Sequence, residues 1–308
     1  MNMMRTHIYK VLSLIALTAL LSACRTERTT EQAEIMVTIA PLKYIVEQIT
    51  ADDFHVGVLV PAGASPETFD PTPRQVAEIN DAKLLFSTGL IEFEQNILAR
   101  LDSDSKVISL SRGIDLIEGS HSHSHAEEHH TEEHHTEEHH ADGGHSHHHG
   151  TDPHIWTSPH ELKTMARNAY EAIAEQYPDS VKYTEAYHKL EAQLETLDKM
   201  CHDMCQASSA KAFVIYHPAL TYFARAYGME QIAVEADGKE PSARHIATLI
   251  EKARAHGARC LLYQTQFPRS VVDVIAEDMG VEAQEIDPLK ENIVENIASI
   301  TRLITGNN

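Results

Sequence analysis

Two series of short apolar runs alternating with stretches of helical period, separated by one long apolar seam, constrain this 308-residue chain more than any other feature. In the first series Ile35 to Ala40, Val56 to Val60, Leu84 to Ser87 and Val107 to Leu110 read as strands. Leu42 to Thr50, Pro73 to Asn80 and Glu92 to Leu101 have helical spacing between them. In the second, strands at Ala212 to Tyr216, Gln231 to Val234, Cys260 to Tyr263 and Glu282 to Ile286 alternate with helices at Pro218 to Tyr227, Ser242 to His256, Arg269 to Met279 and Glu291 to Leu303. Such alternation calls for a parallel sheet covered by helices on both faces, so the fold class is α/β with two lobes. Between the series, Tyr183, Tyr187, Leu190, Leu194, Leu197, Cys201 and Met204 form one seam on a helix starting near Asp179, about 40 Å long. Periodicity alone fits equally a stiff connector and a helix packed on its own sheet.

The N-terminal segment is of another kind. Arg5 and Lys10 precede the ten-residue apolar run Val11 to Leu20, too short to span a bilayer and typical of a secretion signal. Leu21-Ser22-Ala23-Cys24 resembles the bacterial lipobox, which implies cleavage before Cys24 and lipidation of that residue, with Thr26 to Ala33 as a polar tether. Several acyl chains on one residue anchor firmly where one would not. The expected organisation is a leader over 1–23, a tether over 24–33, an N-terminal lobe over 34–178, a linking helix over 179–207 and a C-terminal lobe over 208–308. The location is extracytoplasmic and membrane-anchored. A net charge of −21, with 46 acidic against 25 basic residues, excludes nucleic acid as a partner.

The histidine count is the compositional anomaly, and 13 of the 22 fall within 29 residues. They are His121, His123, His125, His129, His130, His134, His135, His139, His140, His145, His147, His148 and His149, interleaved with repeated Glu-Glu pairs in a segment of low complexity over 120–150. Neutral imidazole suits zinc, copper or nickel, and the carboxylates raise local cation attraction. Without fixed geometry such a tract binds weakly and exchangeably, so a tight site must lie elsewhere.

Open α/β sheets bind ligands at the turns that follow strands. Four turns carry metal-ligand chemistry: Pro61 to Pro73 with Glu67, Tyr216 to Phe223 with His217 and Glu285 to Leu289 with Asp287 at strand ends, and Asp152 to Pro159 with His154 directly after the His-rich tract. Any one alone is weak evidence. Two turns from each lobe together supply two imidazoles and two carboxylates, which is a metal-ligand set.

On these turns, together with Gly89-Leu90-Ile91-Glu92-Phe93-Glu94, the acidic His-rich segment and Glu240-Pro241-Ser242-Ala243-Arg244, the chain resembles the metal-binding lipoproteins that feed zinc and manganese ABC importers, in particular the high-affinity zinc-binding type. The resemblance implies two lobes joined by one long rigid helix, an ion held between the lobes by Glu67, His154, His217 and Asp287, an ABC permease as partner, and a monomer. It also implies departures. The family usually carries His where this chain has Glu67, and zinc-type relatives often carry Glu where this chain has Gln264. His217 at the third ligand favours Zn²⁺ over Mn²⁺ as the transported ligand.

Three other readings are weaker. A manganese-type binding protein of the same class conflicts with His217. A zinc hydrolase would need an open coordination position and a base, and no His-Glu-x-x-His or nucleophile motif is present. A passive metal buffer would leave the four turns without purpose. Cys201, Cys205 and Cys260 allow at most one intramolecular disulfide.

Overall fold

The computed structural model describes residues 33–98, 101, 106–119, 150–178, 180–235, 242–267 and 269–306. The expected leader, Cys24 and the thirteen histidines of the tract lie outside the described residues. Four strands open the described chain: β1 (Ile35–Val37), β2 (Val56–Val58), β3 (Leu84–Ser87) and β4 (Val107–Ser109). All pair in parallel, in the order β2-β1-β3-β4, with Ile35 opposite Val56 on one side and Leu84 on the other. Parallel pairing requires crossovers, and α1 (Ala40–Thr50), α2 (Pro73–Asp81) and α3 (Glu92–Leu98) supply them.

Next come a single 3-10 turn at Ile155–Thr157 and two long helices, α4 (Pro159–Gln176) and α5 (Val181–Ala207). The sequence reading assigned no element between Pro159 and Pro178. The face that α4 buries includes Leu162, Met165, Ala166, Ala169 and Ile173, and two of these five are alanine, so its seam is faint beside that of α5. Pro159 in the first turn is the sign that was present.

The second sheet has β5 (Ala212–Ile215), β6 (Glu230–Ala233), β7 (Cys260–Gln264) and β8 (Glu282–Ile286) in the order β6-β5-β7-β8, again all parallel. Its crossovers are α6 (Thr221–Tyr227), α7 (Ala243–Ala255) and α8 (Arg269–Met279), and α9 (Ile293–Thr305) closes the lobe. The connection pattern of the first lobe is therefore repeated. In each sheet the order reverses between its first and third strands, which places a crevice at the carboxyl ends of β1 and β3 and another at β5 and β7.

Helix α5 resolves the choice that periodicity left open, because it does both things. It packs on α1 and α4 from the first half and on α6 and α9 from the second. The last step of its seam goes to Cys205 and not Met204, which keeps the stripe on the 3.6-residue period of a straight helix. Side chains of the second sheet alternate between two cores: Phe213, Ile215 and Leu262 join the large core continuous with the first lobe, and Ala212, Val214 and Leu261 face a separate one under α7 and α8. Ala33–Asn308 form one compact unit around these cores. Among the described residues no helix is long and apolar enough to cross a membrane.

Candidate metal centre

The crevice of the first sheet is filled by the chain's own carboxylate. Glu94 is buried and accepts from the hydroxyls of Thr38 and Thr88, both at 2.6 Å, and from the backbone N–H groups of Thr88, Leu90 and Ile91 at 3.0 to 3.2 Å. Thr38 follows β1 and Thr88 follows β3, so this position offers nothing to a ligand. In the second sheet the same crevice presents His217 after β5 and Gln264 at the end of β7. The Gln264 carboxamide pairs with the His217 backbone, donating to its carbonyl at 3.1 Å and accepting from its N–H at 3.4 Å.

Three of the four expected ligand residues converge here. One side-chain donor atom each from Glu67, His154 and His217 lies within 4.8 Å of the others, and they are the one such group among the described residues. Tetrahedral Zn²⁺ with bonds of about 2.0–2.1 Å separates its ligand atoms by about 3.4 Å, so small movements suffice to close the group on an ion. Asp287 lines the same cavity, with Trp156, Phe267 and Leu289 as apolar wall, yet it stands outside the tight group. Its Oδ1 accepts from the N–H of Leu289 at 2.9 Å, an Asx turn that points the carboxylate along its own backbone.

Each imidazole has a carboxylate behind it. His154 Nδ1 lies 2.9 Å from Asp152 Oδ1, which also accepts from the His154 backbone N–H at 2.9 Å. His217 Nδ1 lies 3.0 Å from Glu235 Oε2. A carboxylate at Nδ1 places the proton there and leaves Nε2 for a metal. In His217 that Nε2 faces Glu67 Oε1 at 2.9 Å. Burial opposes the imidazolium of His217, but the hydrogen bonds to Glu235 and Glu67 outweigh it and hold its pKa at about 9. The same contact with His217 lowers the pKa of Glu67. Burial would raise Asp152, and its bonds from His154 reverse the sign.

Asp152, Glu235 and Gln264 support the site without belonging to the ligand set expected from sequence. The spacing Asp152-Pro153-His154 carried a signal, since an Asp two residues before a histidine accepts its N–H in an Asx turn. Glu235 carried none, because only the pairing of β6 beside β5 brings it to His217.

Glu67 is held differently. It sits in a loop whose far end is tied back by Gln75, with Nε2 donating to Leu59 O at 2.9 Å and a reciprocal capping box between Thr72 and Gln75. The Glu67 side chain is 46% exposed against 16% for His217, so one candidate ligand faces solvent over the buried His154 and the half-buried His217.

Two imidazoles and a carboxylate converging between two α/β lobes define a two-lobe metal-binding protein. The chain belongs to the ZnuA family, zinc-uptake complex component A, periplasmic, whose sequence model matches residues 35–304. It is 30% identical over 286 residues to the high-affinity zinc uptake system protein ZnuA of Bacillus subtilis (strain 168), covering 88% of this chain and 85% of that protein. It is 27% identical over 284 residues to the zinc-binding lipoprotein AdcA of Streptococcus pneumoniae (strain ATCC BAA-255 / R6), covering 88% of this chain and 53% of the relative, so it spans about half of that protein. A crystal structure of ZnuA superposes with a TM-score of 0.74 at 29% identity, covering 88% of this chain and 97% of the other. A ZnuA lacking residues 138–173 of its own numbering, with zinc bound, gives the same TM-score at 29% identity over 89% of this chain and 97% of that one. The family is a transport component and not an enzyme.

Proposed function

We propose that this protein captures Zn²⁺ outside the cytoplasm in the cleft between its lobes and delivers it to the membrane permease of an ABC importer. Glu67, His154 and His217 are the ligands in this reading, and Asp287 completes the set by turning its carboxylate from Leu289 toward the ion. The observation that carries it is the convergence of Glu67, His154 and His217 donor atoms within 4.8 Å in the interlobe cavity. Two imidazoles with oxygen donors in a partly dry cleft suit Zn²⁺, and two carboxylates cancel its charge. The names of the relatives, a zinc uptake protein and a zinc-binding lipoprotein, support the same substrate.

In the same reading Cys24 is lipidated after removal of residues 1–23, 24–33 tether the protein to a membrane, 34–178 and 208–308 are the two lobes, 179–207 is the linking helix, the tract over 120–150 gathers metal weakly, and the protein works as a monomer. Titration of the purified protein with Zn²⁺ and, separately, Mn²⁺ against a chromophoric chelator tests the substrate. One tight Zn²⁺ per chain, with Mn²⁺ much weaker, is the expected result. Absence of a tight Zn²⁺ phase would refute the reading.

A further inference from the structure

The segment that carries His154 precedes α5 in the chain, yet its side-chain hydrogen bonds run to the second lobe. Thr157 Oγ1 lies 2.9 Å from the carbonyl of Ala219, in the turn that holds His217, and 2.8 Å from the carbonyl of His154, its proton shared between them. The indole N–H of Trp156 donates to the carbonyl of Pro288, next to Asp287, at 2.9 Å. The hydroxyl of Tyr222, on α6, donates to the carbonyl of Asp152 at 2.8 Å. All three side chains are buried, so these bonds are shielded from competing water.

Each bond ends at a residue within two positions of a proposed ligand. Thr157 and Ala219 join the turns of His154 and His217, Trp156 and Pro288 join those of His154 and Asp287, and Tyr222 fixes the residue whose carboxylate orients the His154 ring. Among the described residues Glu67 has no comparable tie: its backbone N–H donates to Ser65 Oγ at 3.3 Å, and its carboxylate faces His217 in the site.

We propose that Thr157, Trp156 and Tyr222 are positioning residues that dock His154 on the second lobe, so that His154 and His217 stand as a preassembled imidazole pair before the ion arrives. A pair already spaced for the ion loses less order on binding than two ligands on independently moving lobes. The inference rests on the reading that the cleft takes Zn²⁺.

The test uses Thr157→Val, Thr157→Ser, Trp156→Phe and Tyr222→Phe, all close in shape to the native side chains. Zn²⁺ affinity is read by chelator competition, ligand geometry by the visible spectrum of the Co²⁺ form, and folding of the metal-free protein by thermal unfolding. Thr157→Val and Tyr222→Phe should each weaken Zn²⁺ about 3–10-fold with a shifted Co²⁺ spectrum. Thr157→Ser, which keeps the hydroxyl, should bind like wild type. If wild type binds tightly and Thr157→Val, Trp156→Phe and Tyr222→Phe match it in affinity and spectrum, the positioning role is refuted. The same holds if Thr157→Ser is as weak as Thr157→Val. If wild type itself lacks a tight phase, the functional reading falls with it.

Discussion

Glu67 Oε1 and His217 Nε2 stand 2.9 Å apart, each occupying the other's approach to a metal ion. With Glu235 on the opposite ring nitrogen at 3.0 Å, His217 is gripped from both sides by carboxylates. In the proposed reading Zn²⁺ takes the place of the Glu67–His217 contact and displaces the proton from Nε2.

That exchange sets the pH dependence. An ordinary histidine range near ~6.5 would let affinity level off above neutrality. Because the carboxylates overcome burial and hold His217 at about 9, the proton competes with Zn²⁺ up to that pH. Apparent affinity should rise about tenfold per pH unit between about 7 and 9 and flatten above. Calorimetry at pH 7.5 in buffers of different ionisation enthalpy should show about one proton released per tightly bound Zn²⁺ from this group. A binding heat independent of buffer would contradict the ion pair. In the metal-free protein the sign is opposite: a raised pKa contributes stability that is complete below ~6.5 and lost as pH climbs through about 9.

Glu67 is the proposed ligand at which this chain departs from the pattern that the family resemblance implies. Glu67→Ala should weaken Zn²⁺ by at least about 100-fold, since loss of an outer partner of a ligand already costs about 10–100-fold. Glu67→His should retain tight binding and steepen the acid limb, because a third imidazole adds a proton to displace. Removing the carboxylate also frees His217 from one partner, so its NMR titration midpoint in metal-free Glu67→Ala should move down. Wild-type affinity in Glu67→Ala across pH 5 to 8 would remove Glu67 from the site.

Much of this arrangement was legible in residue order. Strands and crossovers were readable because aliphatic and aromatic runs such as Leu84–Ser87 and Cys260–Gln264 are flanked by breakers, Gly89 after the first and Gly257 and Pro268 around the second. The helix at α6 begins at Thr221 and not Pro218, because Ala219 N–H bonds back to His217 O and the intervening residues form the turn that presents the histidine. What residue order did not reveal is what depends on strand order. Glu235 meets His217 only across the β5–β6 pairing, and Asp287 lines the cavity with its carboxylate held by Leu289, a detail of turn conformation.

The base of the His-rich tract is closed independently of the tract. Gly119 N–H donates to Gly150 O at 2.6 Å, Glu118 pairs with Thr151 in an antiparallel bridge, and Asp152 N–H donates to Ile117 O at 2.9 Å. A Cβ on Gly119 would come within 2.4 Å of the Gly150 carbonyl, so the close approach needs glycine there. Replacing 120–149 by Asn-Gly, a two-residue hairpin turn, should leave the clasp, Asp152 and His154 in place. Zn²⁺ titration should then keep one tight site of nearly unchanged affinity and lose the weak ones. A large loss of tight affinity would show that a histidine of the tract is a ligand.

The cysteines give a simpler expectation. Cys201, Cys205 and Cys260 are free and buried, and burial pushes their thiols up to about 12, 11 and 12. Thiolate is the reactive form, so all three should be silent toward a disulfide reagent in the native protein at pH 8 and react only in denaturant. Rapid labelling of any of them without unfolding would contradict their burial.

Glu94 separates scaffold from site. It satisfies two hydroxyls and three backbone N–H groups in the crevice of the first sheet, and it is not among the residues that line the cavity. Glu94→Ala strands those donors in a buried place, at about 1–3 kcal/mol for each that water fails to reach, so a loss of about 3–5 kcal/mol is expected in urea denaturation. Glu94→Gln keeps the volume but turns an NH₂ toward groups that donate, and should cost about 2–3 kcal/mol by the same rule. In both variants the folded fraction should bind Zn²⁺ as wild type does, because Glu67 is carried by the loop after β2 and the two histidines by turns outside this crevice. Weak Zn²⁺ binding by fully folded Glu94→Gln would show that the first sheet's crevice governs the site after all.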